Sequence, residues 1–311
     1  MDNRLRPLRR REALALLGGA AVLCFAGSGR GAAPQGQMTR TIPATGEALP
    51  AVGLGTAVAF DQGADPSGRA PLMEVVRRFV ASGGRLIDTA PSYGEAEPAV
   101  GEIVRSLGVR DRLFLATKVY AATRPEGLEQ LNASVQRLGA PIDLVQVHNL
   151  MDWRNQLALL REWKAAGRIR YVGVTHYRSQ ALDEVSAIVA SVPLDFVQIN
   201  YSLGEREAEA RLLPLAKQKG VAVLVNRPFA RAELFRSLRG KPLPAWASDF
   251  DCTSWAQFLL KFVLSHPAVT CALPATANPE HLSDNMRAGL GRLPDAAQRR
   301  RMAAFFDEQV G

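Results

Sequence analysis

Four side chains that can assist proton transfer follow one another along the first half of the chain. They are Asp88, Tyr93, Lys118 and His148. A free tyrosine is a weak acid with a pKa near ~10, but a lysine ammonium beside it stabilises the phenolate and lowers that pKa. Such a phenol can protonate a carbonyl oxygen while hydride reaches the carbon. Asp88 can hold and neutralise Lys118, and His148 can orient the carbonyl oxygen.

Each of these residue types also has an ordinary structural role. An aspartate after a strand often caps the next helix, a tyrosine in a loop often packs, and a lysine is usually solvated. The chemical interpretation therefore requires all four side chains to reach the same place in the fold. Whether they do so depends on the strands and loops to which these four residues belong.

Eight short apolar runs alternate with segments of helical periodicity. The runs are residues 52–57, 85–90, 113–119, 142–149, 169–176, 195–202, 221–228 and 269–276. They are too continuously apolar to leave one face in water, which predicts parallel strands covered by helices. Eight such strands predict an α/β fold that closes into a (β/α)8 TIM barrel. Two extended pieces around a Thr-Gly turn, within residues 39–50, predict a hairpin before it.

The alternative architecture is an open, doubly wound sheet. That fold has a glycine-rich turn after its first strand. Here Gly53-Leu54-Gly55-Thr56 lacks the third glycine and no helix follows promptly, so the barrel is favoured. In a barrel, the carboxyl ends of the strands converge on one mouth. Asp88, Lys118 and His148 end successive predicted strands. Because Tyr93 closely follows the first of them, all four are expected at this mouth.

The same stretches resemble the aldo/keto reductase superfamily. The similar segments are GLGT (53–56), LIDTAPSYG (86–94), ATK (116–118), VH (147–148), GVTHY (173–177), VQINYS (197–202) and LPATANPEHLSDN (273–285). The resemblance extends from about Thr39 to the C-terminus. It implies a (β/α)8 barrel, NADPH as the usual reductant, and aldehydes or ketones as substrates. It also places the catalytic tetrad of the family on Asp88, Tyr93, Lys118 and His148.

The resemblance further implies a set of cofactor contacts. They are Thr56, Asp88, Thr175, His176, Gln198, Asn226, Arg227, Thr276 and Asn285. Thr175 and His176 stand where the family has a Ser-Asn pair for the nicotinamide carboxamide. Gln198 matches the glutamine under the nicotinamide, whereas Asn226 replaces an aromatic that often stacks on that ring. Arg227 is a candidate for the pyrophosphate, with a surface ion pair as the alternative.

The choice between the two nicotinamide dinucleotides stays open. Many family members bind the 2′-phosphate of NADP(H) through a lysine and an arginine, where this chain has Ala275 and His281. Thr276 and Asn285 still fit a hydroxyl contact and an adenine contact. A phosphate favours charge-assisted partners, so the loss of both cations keeps NAD(H) as an alternative to the expected NADP(H).

Two other functions are weighed against a carbonyl reductase. A metal-dependent hydrolase would use His148 and His176, but no third histidine ends a predicted strand, so we expect no metal site. A redox-sensing or regulatory barrel would bind the cofactor with little turnover. The intact tetrad favours an NAD(P)H-dependent aldo/keto reductase that acts on a small carbonyl substrate.

The N-terminal residues have the pattern of an export signal. Arg10-Arg11 precedes an apolar run at 13–26 and then a small-residue stretch. This predicts a twin-arginine (Tat) signal peptide at 1–33, followed by the reductase domain at 38–311. The run is shorter than the ~20 residues of a spanning helix, which disfavours a stable membrane anchor. We therefore expect a periplasmic or otherwise Tat-exported protein with the Tat machinery as a partner.

Composition restricts the remaining possibilities. Hydrophobic residues make up 47% of the 311 residues and charged residues 22%, which suffices for one large core. The formal net charge is +8, but six arginines lie within residues 1–33. No later basic block alternates with aromatic residues, so nucleic acid is not an expected partner. Cys252 and Cys271 would be small buried hydrophobes or, after export, a disulfide.

The sequence does not specify the substrate or the oligomeric state. Trp153, shortly after His148, would either form a wall of the pocket or pack against the barrel. Segment 229–255 is a candidate to fold over the cofactor or to line the pocket. Its aromatic residues include Phe235, Trp246, Phe250 and Trp255.

Overall fold

The computed structural model describes residues 36–61 and 68–310, all within one compact unit that spans residues 35–311. The predicted signal peptide, residues 1–33, lies outside the described residues. Its boundary with the domain predicted at 38–311 therefore stays a prediction. No helix in the described part of the chain is long and apolar enough to cross a membrane.

Strands and helices alternate through most of this unit. The strands in the described residues are β1 (Thr39–Thr41), β2 (Ala48–Pro50), β3 (Leu54–Gly55), β4 (Leu86–Asp88), β5 (Phe114–Val119), β6 (Leu144–His148), β7 (Tyr171–His176), β8 (Phe196–Asn200), β9 (Ala222–Asn226) and β10 (Val269–Ala272). The α-helices of the same residues are α1 (Arg69–Ala81), α2 (Ala96–Leu107), α3 (Arg124–Leu138), α4 (Trp153–Ala165), α5 (Leu182–Ser191), α6 (Leu212–Lys219), α7 (Glu233–Ser237), α8 (Trp255–Leu264), α9 (Pro279–Arg287) and α10 (Ala296–Val310).

The first two strands form the predicted hairpin. β1 and β2 pair antiparallel in a two-stranded sheet. Gly46 has a φ of 75° in the turn between them, a left-handed conformation that a residue without Cβ adopts at little cost. The hairpin covers the amino-terminal end of the larger sheet. There the hydroxyl oxygens of Thr45 and Tyr171 lie 2.8 Å apart. Ile42 and Leu49 pack against the apolar side chains enclosed by the curled sheet, the inner core.

The other eight strands form one parallel sheet in chain order, from β3 to β10. The prediction of eight parallel strands is confirmed. The two edges of the sheet are also joined, since parallel bridges link Val52 with Ala272 and Gly55 with Ala275. The sheet is therefore curled, consistent with the (β/α)8 fold.

Successive side chains of each strand point to opposite faces of the sheet. Along β5, Phe114 and Ala116 belong to the inner core, whereas Leu115 and Val119 pack outward under the helices. Both faces are buried, as the continuous apolar runs predict. On the inner face, polar side chains replace apolar ones towards the carboxyl ends of the strands. These buried polar residues are Asp88, Lys118, Gln146, His148, Thr175, Gln198 and Asn200.

The tryptophans of segment 229–255 stabilise the C-terminal helix. Trp246 lies against Phe258 and Phe305, with ring centroids 5.6 and 5.7 Å away. Trp255 stacks on Phe305 at 6.3 Å. These rings fill the space between α8 and α10, because both helices present aromatic side chains there. The expectation that this segment lines a pocket is therefore not met for Trp246 and Trp255.

Two other sequence expectations are settled by packing. Cys252 and Cys271 are both free and buried, so the disulfide considered from the sequence is not formed. Burial raises the pKa of the Cys252 thiol to about 12, outweighing the nearby Lys261 ammonium. Trp153, at the start of α4, packs partly buried against the outer core. This contact favours the structural interpretation of Trp153.

Candidate active site

A buried ion pair between Asp88 and Lys118 forms the centre of the site. The two residues lie on the neighbouring strands β4 and β5. Lys118 Nζ donates to Asp88 Oδ2 at 2.7 Å and to the Thr89 carbonyl at 2.8 Å. Lys118 is 0% exposed and Asp88 is 4% exposed. A buried ammonium requires such a counter-charge, because desolvation otherwise favours its neutral form.

Lys118 keeps its proton in this environment. Burial by itself lowers the pKa of Lys118, but the Asp88 carboxylate and the Tyr93 phenol outweigh burial, and the pKa is raised. Lys118 Nζ lies 4.8 Å from the centroid of the Tyr93 ring. A permanent positive charge is therefore fixed beside the phenol.

Tyr93 lies in the loop between β4 and α2. Its N–H donates to the Ala90 carbonyl and its carbonyl accepts from the Ala96 N–H, each at 3.1 Å. These bonds hold the loop in consecutive turns on either side of Tyr93. The ring is partly buried against the outer core, so it remains accessible to a ligand at the carboxyl ends of the strands.

His148 ends β6 beside the same ring. Its imidazole is edge-on to Tyr93, with ring centroids 5.9 Å apart, and its Nδ1 lies 3.3 Å from Ser92 Oγ. Burial, followed by the charges of Lys118 and His176, lowers the pKa of His148 to about 3. The imidazole is therefore neutral at physiological pH and offers one N–H donor. The structure thus brings together the four residues predicted as a tetrad.

Buried amide and hydroxyl groups extend from the ion pair across the inner face. Gln198 Nε2 donates to Asp88 Oδ1 at 2.9 Å. Gln146 Nε2 donates to the same oxygen at 3.4 Å. Thr175 Oγ1 donates to Gln198 Oε1 at 3.0 Å. Thr175 and Gln198, both from the predicted cofactor set, are therefore connected to Asp88 through one hydrogen-bonded chain.

Thr56 makes two hydrogen bonds to the backbone carbonyl of Asp88. It is 0% exposed, its hydroxyl donates to the Asp88 carbonyl at 3.0 Å, and its N–H donates to that carbonyl at 3.1 Å. The hydroxyl that was expected to contact the cofactor thus holds the end of β3 against the end of β4.

Three predicted cofactor residues lie at the ends of β7 and β9. His176 stacks on Tyr177 with ring centroids 5.7 Å apart. The guanidinium carbon of Arg227 lies 4.1 Å from the centroid of the Tyr177 ring. Burial, followed by the charge of Arg231, lowers the pKa of Arg227. Asn226 ends β9, and its buried Oδ1 has no hydrogen-bond partner in the described part of the chain.

The remaining predicted contacts follow β10. Asn285 on α9 is 3% exposed, and no described residue forms a hydrogen bond with its buried Oδ1. Thr276 Oγ1 accepts from the Asn278 N–H at 3.0 Å, so its hydroxyl is engaged in a local turn. Ala275 and His281 are exposed. The structure therefore offers a free acceptor at Asn285 and no cation at positions 275 and 281.

The described residues contain no group of three or more His, Cys, Asp and Glu side chains that could hold a metal ion. His148 and His176, the ligands of the hydrolase alternative, therefore have no third such partner within this part of the chain. A tetrahedral protein site needs at least three ligands.

Three polar residues of this region, Gln146, Tyr177 and Asn200, are absent from the site predicted from the sequence. Gln146 lies two positions before His148, and Asn200 lies two positions after Gln198. Every second side chain of a strand points to the same face. Gln146 therefore shares the inward face of His148, and Asn200 shares that of Gln198. Tyr177 lies just beyond β7 and has no such signal.

Comparison with known proteins agrees with this geometry. The profile of the aldo/keto reductase family matches residues 51–300. The chain belongs to the aldo/keto reductase family. The matched residues include all eight parallel strands, so the whole site lies within the family domain. As a member of this family, the chain is an oxidoreductase.

Similar proteins match from less than half to most of the chain. Methylglyoxal reductase YeaE of Escherichia coli (strain K12) is 32% identical over 246 residues, which are 76% of this chain and 84% of that protein. The NADH-specific methylglyoxal reductase of the same organism is 28% identical over 141 residues, 42% of this chain and 41% of that protein. An aldo-keto reductase of Klebsiella pneumoniae, solved in complex with NADPH, has a TM-score of 0.72 at 25% identity and covers 88% of this chain and 95% of its own.

We expect His148 to make this aldo/keto reductase less stable in acid. Its pKa is about 3 in the folded chain and returns to about 6.5 on unfolding, so between these values only the unfolded state takes up the proton. The contribution to stability is complete above pH ~6.5 and is lost as the pH falls towards ~3. Between about pH 7 and pH 5, wild type should lose roughly 2 kcal/mol more unfolding free energy than His148→Gln in urea titrations.

The exposed His281 provides the matched control. His281→Gln should follow the wild-type dependence of unfolding free energy on pH. Parallel curves for wild type and His148→Gln would show that folding does not lower the pKa of this imidazole, contrary to this expectation.

Proposed function

We propose that this aldo/keto reductase converts an aldehyde or a ketone to the alcohol, with hydride from a reduced nicotinamide dinucleotide and a proton from Tyr93. The observation that carries the proposal is the buried Lys118 ammonium, 4.8 Å from the Tyr93 ring centroid and paired with Asp88 at 2.7 Å. A charge fixed where a phenolate forms favours proton transfer from that phenol.

We also infer that the curled sheet is a closed (β/α)8 barrel. Its first and last strands are joined by the bridges Val52–Ala272 and Gly55–Ala275. Closure would bring the carboxyl ends of β4, β5 and β6 to one mouth, where enzymes with this architecture have their active sites. The proposed tetrad would then lie on the floor and wall of this mouth.

The residues around the mouth fit a nicotinamide dinucleotide. The buried side-chain oxygens of Asn226 and Asn285 have no partner among the described residues, and such acceptors are normally satisfied by a donor. Burial, followed by the charge of Arg231, lowers the pKa of Arg227. Two neighbouring guanidinium groups would suit a pyrophosphate. Thr175 would retain the hydroxyl contact to the carboxamide.

When bound, the reduced nicotinamide supplies a hydride to the carbonyl carbon. As the π electrons of the C=O bond move onto oxygen, Tyr93 donates its phenolic proton to that oxygen and becomes a phenolate. Lys118, held by Asp88 and by the Thr89 carbonyl, stabilises the phenolate. The alcohol therefore contains one hydride and one proton more than the carbonyl, and Tyr93 regains its proton from solvent.

His148 would orient the carbonyl oxygen. With a pKa of about 3, its imidazole stays neutral and can donate one hydrogen bond without giving up a proton to the product oxygen. It lies edge-on to Tyr93, so both donors can address the same oxygen. Because the Lys118 ammonium lies beside Tyr93, proton transfer is assigned to Tyr93 and orientation to His148.

The substrate is proposed to be a small carbonyl compound. Two relatives are named methylglyoxal reductases, which makes methylglyoxal the first compound to test beside a panel of simple aldehydes.

Tyr93→Phe tests the proposed role of the phenol. Loss of the proton donor should reduce kcat for methylglyoxal or the best aldehyde by roughly 10²–10⁴-fold, while the affinity for the nucleotide, measured by fluorescence titration, stays unchanged. Tyr171→Phe removes a phenol at the opposite end of the sheet, and its kcat should equal that of wild type. A wild type that binds nucleotide tightly but reduces no carbonyl would instead favour the redox-sensing alternative.

For the cofactor, we propose NADP(H) as preferred and NAD(H) as an alternative. Ala275 and His281 provide no cation for a 2′-phosphate, and both are exposed. The double variant Ala275→Lys/His281→Arg should lower KM for NADPH by at least about ten-fold relative to KM for NADH, because charge-assisted hydrogen bonds contribute ~1.5–3 kcal/mol. The uncharged Ala275→Gln/His281→Gln is the control. An equal change in both KM values would place the 2′-phosphate elsewhere.

We further propose export through the Tat pathway, based on sequence alone because residues 1–33 lie outside the described part of the chain. Arg10-Arg11 precedes the apolar run 13–26. The twin-arginine route carries folded proteins, so the nucleotide can be bound before export. In cell fractionation, Arg10→Lys/Arg11→Lys should retain the protein in the cytoplasm, while Arg4→Lys/Arg6→Lys is still exported. Equal export of both variants would refute this pathway.

A further inference from the structure

Asp88 has a hydrogen-bond partner, Gln146, that the sequence motifs do not assign to the site. Asp88 Oδ2 pairs with Lys118, whereas Oδ1 accepts from Gln198 at 2.9 Å and from Gln146 at 3.4 Å. We propose that Gln146 is a positioning residue for carbonyl reduction. It holds the Asp88 carboxylate in the orientation that keeps Lys118 beside Tyr93. The proposal rests on the proposed function of this site.

The burial of Gln146 requires such a role. The residue lies on the inner face of β6 and is 0% exposed. Within residues 36–61 and 68–310, its Oε1 has no hydrogen-bond partner, so half of its amide is desolvated without compensation. Leu144, two positions earlier on the same face, shows that an apolar side chain fits the inner core. A glutamine at this depth therefore contributes through the bond that its Nε2 makes to Asp88.

Gln146 acts independently of the proposed cofactor contacts. The carboxylate torsion of an aspartate is broad, so contacts at both oxygens are needed to hold the plane of the Asp88 carboxylate. Gln198 provides one contact to Oδ1, but Gln198 and its partner Thr175 both belong to the predicted cofactor set. Gln146 lies on another strand and outside that set. Its bond to Oδ1 can therefore persist whether or not nucleotide is bound.

The charges around Asp88 determine what the loss of Gln146 would do. Lys118 on β5 is the cation paired with Asp88, Tyr93 and His148 lie beside this pair, and the charge of Asp88 also acts on Cys271 on β10. Burial, followed by the charge of Asp88, raises the pKa of Cys271, so its thiol stays neutral. Without the Gln146 amide, Oδ1 keeps only the bond from Gln198, so the carboxylate charge is less compensated and its plane is held less tightly. Lys118 would follow Asp88 and stabilise the Tyr93 phenolate less well.

The first test is Gln146→Met, which removes the amide donor and keeps the length of the side chain. In NADPH-dependent reduction of the best carbonyl substrate, kcat should fall roughly ten-fold, the lower range for a hydrogen bond to a charged group, in line with a 3.4 Å bond. KM for the carbonyl and Kd for NADPH should change by less than about two-fold, since Gln146 contacts neither.

The second test is Gln146→Glu, read as a function of pH. At about pH 8 the introduced carboxylate repels Asp88, and kcat should be lower than in Gln146→Met. At about pH 5.5 the neighbouring negative charge favours protonation of the introduced group, whose O–H can then donate to Asp88 Oδ1. The ratio of kcat in Gln146→Glu to kcat in wild type should therefore rise roughly ten-fold as the pH falls from about 8 to about 5.5. A purely structural defect would give a ratio that does not depend on pH.

Gln156→Met is the matched control. Gln156 is also 0% exposed, but its amide donates to the backbone carbonyls of Ala121 and Thr123. This variant should have a lower Tm and a kcat within about two-fold of wild type. An equal loss of kcat in Gln156→Met and Gln146→Met would attribute both losses to weakened packing and overturn the proposal.

The proposal is also overturned if Gln146→Met keeps the wild-type kcat, or if Gln146→Glu shows a flat ratio across pH. Should Gln146→Met fail to fold, the pH dependence of Gln146→Glu decides alone. The two hypotheses fail in different ways. A wild type that reduces no carbonyl with either nucleotide refutes the proposed function, whereas an active wild type with unaffected Gln146 variants refutes only the positioning role.

Discussion

The buried charge of Lys118 is the constraint on which the rest of the site depends. An ammonium at 0% exposure is compatible with folding only if a counter-charge and further acceptors surround it, and loss of one partner from a buried pair typically costs about 3–5 kcal/mol. Asp88 and the Thr89 carbonyl meet this requirement from the adjacent strand and its loop. They do so because β4 and β5 are parallel neighbours, with Asp88 in register with Ala116.

The buried site raises the pKa of Lys118 and lowers the pKa of His148. Burial lowers the pKa of both Lys118 and His148, but Asp88 reverses the shift only at Lys118. The result is one charged and one neutral nitrogen base beside the same phenol. This division depends on which side chain reaches the single carboxylate. It gives the site a fixed cation and an uncharged hydrogen-bond donor, the two properties that the proposed chemistry needs.

The inner face of the sheet is apolar near the amino-terminal ends of its strands and polar near their carboxyl ends. The hairpin and apolar residues such as Phe114 and Phe196 fill the amino-terminal part, while polar groups occupy the carboxyl ends. The departures that the sequence resemblance implies lie on the proposed cofactor side. His176, Asn226 and the exposed position 281 are examples. If the proposed tetrad acts as we infer, these departures concern how the nucleotide is held more than how the proton is delivered.

The sequence by itself determined the parallel strands, the hairpin and the four residues of the tetrad, because these depend on local periodicity and on short motifs. It could not identify the donors that hold Asp88. Gln146 and Gln198 reach one carboxylate from β6 and β8, and this meeting requires the curvature and register of the whole sheet. The packing of Trp246 on α10 likewise depends on contacts between distant helices. Tertiary structure decided these features, since no pattern within a single segment records which side chains converge from separate strands.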